Sequence, residues 1–242
     1  MKKRAMTSEK ASFVKKEGHR IENIYADLIK GKVIKGTGKK DVKDRKGQFH
    51  SIKGAELKWQ IFLYSKKRFE KDFGELGKMF VKCIESFPEH REDYIKNKGK
   101  YKSILKDNMI NLRKYFEDDE NRKRFFIKAF LNNEIDYFVI YNDGIFHIFD
   151  AKESIEKLGL LTKSENSKAQ GINQTDDQKV IFKYEDKTVG EIEMRNDSDV
   201  HYRQIKFWME KRGTSNLLLK NIPRNEKTDN IIFYGKAENN FL

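Results

Sequence analysis

The chain has 242 residues, of which 37% are apolar and 37% are charged, and its 51 Lys and Arg against 38 Asp and Glu give a formal net charge of +13. Its 18 Phe and 10 Tyr are spread along the sequence, which excludes a disordered composition and predicts a packed core. A surface this basic favours a polyanionic partner, because each phosphate neutralised by Lys or Arg releases condensed counterions.

The cysteine content and the absence of long apolar segments exclude further classes of protein. The single cysteine, Cys83, cannot form an internal disulfide, and the sequence has no CxxC pair or Cys/His cluster typical of zinc. No apolar stretch is long enough for a membrane span, and no apolar segment follows the basic N-terminus as it does in a secretory signal. We therefore expect a cytoplasmic protein.

The N-terminal part of the chain is predicted to form a helix followed by a basic hairpin. Residues 7–29 carry apolar side chains at helical spacing and stop at Gly31. Residues 30–54 hold five glycines and nine Lys or Arg against two Asp, around the short apolar pieces Val33-Ile34 and 49–52. This pattern predicts a glycine-broken basic loop that leads into a β-hairpin.

Periodicity and turn signals predict the remaining elements. Residues 55–131 are expected to be mainly helical. Asn142-Asp143-Gly144 between two apolar runs is typical of a type I′ hairpin, and Glu185-Asp186-Lys187 indicates a second hairpin. A helix at 199–212 and a last strand at Ile231–Tyr234 follow. Two prolines and no recognisable linker favour a single α/β or α+β domain.

The hairpin after the first helix carries a candidate catalytic set. Phosphodiester hydrolysis on a two-strand nuclease core needs a carboxylate at the start of one strand and a cation on the next. Asp41 can bind Mg²⁺, and Lys53 can orient the attacking water and offset charge on the phosphorane. Asp44-Arg45-Lys46-Gly47 is a plausible tight turn between them. Alternation along the second strand places Ser51 and Lys53 on one face, where both can meet Asp41.

Asp41 followed by Ser51-Ile52-Lys53 resembles the motif of the PD-(D/E)xK nuclease superfamily. Gln60-Ile61-Phe62-Leu63-Tyr64 is similar to the QxxxY helix motif of some superfamily exonucleases, and Glu22 lies on the kind of helix that supplies an additional acid. The pattern, which covers residues 18–64, looks most like a type II restriction endonuclease.

The resemblance implies a fold, an activity and partners. The fold would be a restriction-endonuclease-like α/β (α+β) core, a mixed sheet flanked by helices with extra helices and hairpins inserted. Residues 1–242 would form one nuclease domain, with a catalytic core at 18–70, a helical middle at 71–131 and a β-rich recognition or support region at 132–242. The activity would be Mg²⁺-dependent hydrolysis of double-stranded DNA by a homodimer, with a cognate DNA methyltransferase in the host.

The sequence departs from the family pattern at one position. Ser51 stands where an acidic residue usually precedes the lysine by two. Glu22 is the expected substitute, with Glu56 and Asp44 as the next candidates. In this assignment Asp41 and Glu22 hold the metal, Lys53 positions the water, and Ser51 and Gln60 complete the site.

Two other places in the chain are alternative catalytic sites. Asp136 with Asp150 and Lys152 fits the family spacing, but Asp150 followed by Glu153 is also a capping box at the start of a helix. Glu191 and Glu193 lie two residues apart on a predicted strand, where an acidic pair can bind Mg²⁺. The sequence does not decide which of the three hairpins carries the chemistry.

Residues that can contact DNA surround these hairpins. Lys39 and Lys40 directly precede Asp41 among glycines, so that the loop can hold the DNA backbone near the scissile phosphate. Base-reading donors and acceptors follow the second hairpin, namely Arg195, Asn196, Asp197, His201 and Arg203. Two alternatives to the restriction enzyme remain open: a non-catalytic basic nucleic-acid-binding protein, and a nonspecific nuclease or toxin of the same superfamily.

Overall fold

The computed structural model describes residues 8–36, 39–54, 57–131, 134–169, 171, 175–228 and 230–238. The helices of this part of the chain are α1 (Ser8–Leu28), α2 (Lys66–Asp72), α3 (Gly74–Glu85), α4 (Arg91–Lys96), α5 (Lys98–Tyr115), α6 (Asp119–Phe126), α7 (Ala151–Leu161) and α8 (Lys211–Asn221), with a π-helical segment at Ile127–Leu131. The strands are β1 (Lys32–Val33), β2 (Val42–Lys43), β3 (Phe49–Lys53), β4 (Lys58–Tyr64), β5 (Tyr137–Asn142), β6 (Ile145–Asp150), β7 (Lys163–Asn166), β8 (Lys179–Tyr184), β9 (Lys187–Met194), β10 (Ile205–Glu210), β11 (Arg224–Thr228) and β12 (Ile231–Tyr234). The fold is mixed α and β, in agreement with the class predicted from the sequence.

The chain divides into two compact units, each made of separate stretches. One unit comprises residues 1–57, 130–157 and 218–242, and the other comprises residues 58–129 and 158–217. These boundaries differ from the expected division of one domain at 18–70, 71–131 and 132–242, because strands far apart in sequence pair with each other in both sheets.

The first unit is built on a mixed sheet of seven strands in the order β1-β2-β3-β5-β6-β12-β11. The pairs β3–β5 and β6–β12 are parallel, and the other neighbours are antiparallel. The α1 helix covers one face, because Ile21, Tyr25 and Ile29 recur at helical spacing and all are buried. They pack against inward-facing side chains of the strands, which include Val42, Ile52, Tyr137, Val139, Phe146, Ile148, Ile231 and Phe233.

The second unit is built on an antiparallel sheet in the order β4-β10-β9-β8-β7. Its core is aromatic, and ring pairs such as Phe125 with Phe207 (4.9 Å between centroids) join the helices to the strands. The further members of this cluster are Phe62, Phe69, Phe80, Phe116, Phe126 and Phe182. Offset and edge-on ring pairs of this kind stabilise a core beyond the area they bury.

All three predicted hairpins are confirmed. In the turn between β5 and β6, Asp143 and Gly144 have φ of 49° and 84°, and between β8 and β9 Glu185 and Asp186 have φ of 46° and 61°. Two consecutive positive φ values define the type I′ turn, whose twist matches that of paired strands. The predicted first helix, the helix after Asp150 and the strand at Ile231–Tyr234 are also present.

Two predicted helices are wrong. Residues 58–64 form the edge strand β4 rather than the start of a helical segment, so Gln60 and Tyr64 are not a helical QxxxY motif. The expected helix at 199–212 is a turn followed by β10 and the first residues of α8. Both segments hold bulky buried residues, Trp59 and Phe62 in the first and Phe207, Trp208 and Met209 in the second. A short apolar pattern of this kind does not distinguish a strand from a buried helix.

None of the helices in the described part of the chain is both long and apolar enough to cross a membrane.

Candidate active site

Asp41 lies immediately before β2 and is held in the hairpin by its backbone. Its N–H donates to the carbonyl of His50 (3.0 Å), and its own carbonyl accepts from Ile34 (2.9 Å). The turn to β3 is closed by Asp44, whose Oδ1 accepts from the N–H groups of Lys46 (2.9 Å) and Gln48 (2.8 Å). An aspartate that bonds the backbone two residues ahead stabilises a tight turn, and this one fixes the register that brings Asp41 beside β3.

Asp41, Ser51 and Lys53 meet on one face of this hairpin. Asp41 Oδ2 accepts from the backbone N–H of Ile52 (2.6 Å) and from Ser51 Oγ (3.3 Å), and lies 3.6 Å from Lys53 Nζ. Lys53 Nζ also donates to Ser51 Oγ (2.9 Å). The side chains of Lys53 and Asp41 are 20% and 16% exposed, whereas Ser51 is buried, so solvent reaches the cluster only at Lys53 and Asp41.

The free oxygen of Asp41 is the atom that can take a ligand. Oδ1 makes no hydrogen bond to a described residue, whereas Oδ2 has the contacts given above. Mg²⁺ is commonly bound by one or two carboxylates together with water and substrate phosphate oxygens. A partly exposed carboxylate beside an ammonium group fits this requirement for a single protein ligand. In the described residues, with the surroundings of Asp41 included, no group of three or more His, Cys, Asp or Glu side chains is arranged to hold a metal ion.

Of the other residues predicted for this site, Glu22 has no hydrogen bond or ion pair with Asp41, Ser51 or Lys53. Its helix packs on the sheet face that carries Ile52, and strand alternation places Ser51 and Lys53 on the opposite face. The Glu22 carboxylate instead contacts the His19 ring (Oε2 to Nδ1, 3.0 Å). Gln60 is exposed on β4 of the second unit. Glu56 lies outside the described residues.

In the alternative set around the β5–β6 hairpin, the two aspartates accept hydrogen bonds from backbone N–H groups. Asp136 Oδ2 accepts from the N–H of Phe49 (2.7 Å), and Asp150 Oδ1 accepts from the N–H of Glu153 (2.8 Å) at the start of α7. Lys152 is exposed in the first turn of that helix. Asp150 is therefore a helix cap, as the capping-box pattern indicates.

The second alternative, Glu191 and Glu193, is part of a charge network on the second sheet. Lys179 binds both carboxylates, with its Nζ 2.9 Å from Glu193 Oε2, and Lys206 lies 3.8 Å from Glu193 Oε1. Burial lowers the pKa of Lys179, but the two carboxylates outweigh this effect and raise that pKa above its ordinary value. Both carboxylates are ion-paired with lysine, as Asp41 is with Lys53, and neither has a hydrogen bond or ion pair with Asp41, Ser51 or Lys53.

The predicted base-reading residues lie in a loop between β9 and β10 that is held by its own contacts. Arg195 is paired with Asp197 through two hydrogen bonds (2.8 and 2.6 Å), and this pairing raises the pKa of the guanidinium. His201 Nδ1 lies 3.2 Å from Gln204 Oε1, and Arg203 has φ of 59°. The backbone carbonyl of Asn196 accepts from Arg91 (3.2 Å). Reading a base with Arg195 would require it to leave Asp197.

Of the two predicted backbone-binding lysines, Lys40 has defined contacts. Its Nζ lies 3.2 Å from Glu134 Oε2 and 4.3 Å from the centroid of the Phe49 ring. Lys39 is half-buried just beyond residues 37 and 38, which lie outside the described residues.

Sequence reasoning did not find a buried polar network that lies under β3. His50 is fully buried, with Nδ1 2.8 Å from Tyr25 Oη and Nε2 3.3 Å from Asp44 Oδ2. Burial lowers the pKa of His50 to about 4 and raises that of Tyr25 well above its ordinary value. Strand alternation was the signal: if Ser51 and Lys53 lie on the face of Asp41, His50 and Ile52 must lie on the opposite face, toward α1.

Comparisons of the chain with protein-family models, with curated proteins and with solved structures gave no match.

Proposed function

We propose that this protein is a Mg²⁺-dependent endonuclease that cuts double-stranded DNA, of the type II restriction kind, with its active site at the β2–β3 hairpin. The observation that carries the proposal is the convergence of Asp41, Ser51 and Lys53 on one partly exposed face, with Asp41 before the first strand and Lys53 on the next. A carboxylate that can hold Mg²⁺ beside an ammonium that can offset charge on the phosphorane suits phosphodiester hydrolysis.

Each residue has a role that follows from its contacts. Asp41 Oδ1 would hold the Mg²⁺ ion, which supplies Lewis acidity toward the phosphate and the attacking water. The ammonium of Lys53 orients that water and offsets the negative charge that develops on the phosphorane oxygens. Ser51 Oγ holds Lys53 Nζ at 2.9 Å, so that the ammonium stays beside the metal ligand while substrate binds. The N–H of Ile52 holds Asp41 Oδ2, and Oδ1 has no hydrogen bond to a described residue.

The remaining features of the proposal follow from the reaction. Symmetrical cutting of two antiparallel strands needs two active sites, so we propose a homodimer. A cytoplasmic enzyme of this kind needs protection of the host DNA, which a cognate methyltransferase would provide.

The proposed DNA contacts supply cations for phosphates and donors for base edges. They are Lys39, Lys40 and the loop with Arg195, Asn196, Asp197, His201 and Arg203.

Cleavage of a supercoiled plasmid in Mg²⁺ or EDTA tests the proposal. We expect discrete fragments in Mg²⁺ and intact plasmid in EDTA. The Asp41→Asn and Lys53→Met variants should lose about 100-fold or more of the cleavage rate, because each removes a charge that acts on the reacting phosphate. Both should still bind DNA in a filter-binding assay, since neither residue is the main source of attraction to the backbone.

Two variants at the alternative sites are the controls. Asp150→Ala and Glu193→Ala should cut plasmid at the wild-type rate once their folding has been checked by a melting curve. Loss of cleavage in a folded Asp150→Ala protein, with cleavage kept in Asp41→Asn, would move the active site to the β5–β6 hairpin.

The second candidate function is a non-catalytic DNA-binding protein, which the net charge of +13 favours independently of the hairpin. The same assay distinguishes the candidates. An intact plasmid that is retarded in a gel in Mg²⁺ supports the binding protein, whereas a smear of fragments supports a nonspecific nuclease or toxin.

A further inference from the structure

Lysine side chains converge around one aromatic ring on the β1–β2–β3 hairpin. Lys40 Nζ lies 4.3 Å and Lys43 Nζ 5.5 Å from the centroid of Phe49. Lys32 on β1 is the direct cross-strand partner of Lys43 on β2. We refer to Lys32, Lys40, Lys43 and Phe49 as the lysine cluster.

The cross-strand pair of Lys32 and Lys43 destabilises the folded state. Like charges directly opposite each other on paired strands repel, since their Cβ atoms lie about 5 Å apart. The ion pair of Lys40 with Glu134 is the compensating contact, and Glu134 is 53% exposed. Lys32 and Lys43 form no ion pair with any residue that the structure describes. The cation–π contacts with Phe49 hold two of the ammonium groups in place without neutralising them.

Three exposed lysines of the second unit form ion pairs with carboxylates. Lys66 lies 2.6 Å from Glu85, Lys78 lies 2.6 Å from Glu75, and Lys96 lies 3.1 Å from Asp93. Each of these cations has a carboxylate in its own neighbourhood, as solvated surface charges commonly do. Lys32 and Lys43 differ from these three lysines in having no ion pair within the described residues, a property that other exposed lysines such as Lys71 and Lys98 share. What is particular to the lysine cluster is that Lys32 and Lys43 lie directly opposite each other and that Lys40 and Lys43 contact one aromatic ring.

The lysine cluster shares a sheet face with the candidate active site. Strand alternation places Lys43 on the same side as Asp41, and Phe49 on the same side as Ser51 and Lys53. Val42 and Ile52, which alternate with them, are buried against α1 on the other side. A polyanion lying on the cluster would extend along the hairpin toward Asp41.

We propose that Lys32, Lys40 and Lys43, steadied by the Phe49 ring, bind consecutive phosphates of the DNA backbone beside the scissile position. The identity of the polyanion as double-stranded DNA rests on the proposed function. Bound phosphates remove the repulsion between Lys32 and Lys43, so the charge that destabilises the free hairpin stabilises the complex. The carboxylate of Glu134 competes with phosphate for Lys40.

The test is the salt dependence of binding to a short DNA duplex, measured by fluorescence anisotropy in EDTA so that nothing is cut. The logarithm of the binding constant falls with the logarithm of salt concentration by about 0.9 for each phosphate contact. For Lys32→Gln/Lys43→Gln we expect the slope to decrease by about 2. Glu134→Gln should bind more tightly than wild type, because it frees Lys40.

The matched control is Lys66→Gln/Lys78→Gln, which removes the same total charge from paired positions of the second unit. We expect its slope to equal that of wild type. Equal slopes for the two double variants would overturn the proposal, because binding would then depend on net charge rather than on the cluster.

The salt-dependence test and the cleavage assay can fail independently of each other. If wild-type protein cuts plasmid but Lys32→Gln/Lys43→Gln keeps the wild-type slope, the cluster is not the backbone site and the nuclease stands. If no cutting occurs but the slope decreases, the binding site stands without the nuclease.

Discussion

His50 shows how one buried side chain links the core to the candidate active site. Its Nδ1 lies 2.8 Å from Tyr25 Oη and its Nε2 lies 3.3 Å from Asp44 Oδ2, so a neutral ring that accepts from the hydroxyl and donates to the carboxylate satisfies both partners. Asp44 in turn bonds the turn between β2 and β3. Protonation of His50 would turn Nδ1 into a donor that faces the Tyr25 hydroxyl proton. It would also place a positive charge in a buried site. Burial accordingly lowers the pKa of His50 to about 4.

Acid should therefore destabilise the protein through this residue. The unfolded chain binds a proton at His50 near pH 6.5 and the folded chain only near pH 4, so stability decreases as pH falls between these values. The loss of unfolding free energy should be on the order of 3 kcal/mol, measured by urea denaturation at several pH values.

Two histidine variants separate this effect from general acid sensitivity. His50→Gln should be less stable at neutral pH, but its stability should decrease less between pH 6.5 and 4. His19→Gln is the matched control, because His19 is exposed on α1, and it should retain the wild-type pH dependence. The same pH dependence in His50→Gln as in wild type would contradict the assignment.

At the level of secondary structure, sequence patterns with a specific local cause were predicted correctly. The Asn142-Asp143-Gly144 turn needs residues that tolerate positive φ, and Asp150 supplies an acceptor for the free N–H groups at the start of α7. The pairing of Asp41 with β3 followed from alternation and from the Asp44 turn. Each of these signals lies within a few residues of the element it determines.

Elements whose conformation depends on distant partners were not predicted. Residues 58–64 are a strand because β10, almost 150 positions later, pairs with them, and a β-bulge between Phe207 and Trp208 adjusts the register. The separation of Glu22 from Ser51 and Lys53 depends on which sheet face α1 covers. No local pattern contains this information, because it arises from the packing of α1 on the sheet.

The cap of α7 gives a prediction at this scale. Asp150→Ala should lower the free energy of unfolding by about 1 kcal/mol, because the N–H of Glu153 loses its acceptor. Asp150→Asn, which keeps an acceptor oxygen, should lose less, and chemical denaturation of the three proteins measures the difference. If Asp150→Asn is as unstable as Asp150→Ala, the carboxylate acts there through its charge and not as a cap.

For the whole molecule, chain connectivity determines which fragments can fold. The first sheet takes β1–β3 from the N-terminal part of the chain, and β5, β6, β11 and β12 from residues after 136. The second sheet takes only β4 from before residue 131. The proposed catalytic hairpin is short in sequence, but β3 is hydrogen-bonded to β5, and the buried cluster under it needs Tyr137, Val139 and Phe146.

A fragment of residues 1–131 should therefore not fold, although it contains every residue of the proposed active site. Its strands would expose β3 as an unpaired edge and leave α1 without most of the sheet on which it packs. Its amide NMR spectrum should show the narrow dispersion of an unfolded chain, and adding a fragment of residues 132–242 should restore the dispersion of the intact protein. A well-dispersed spectrum from residues 1–131 without its complement would show that the hairpin is stabilised locally. The distant strands would then contribute little to holding Asp41 and Lys53 together.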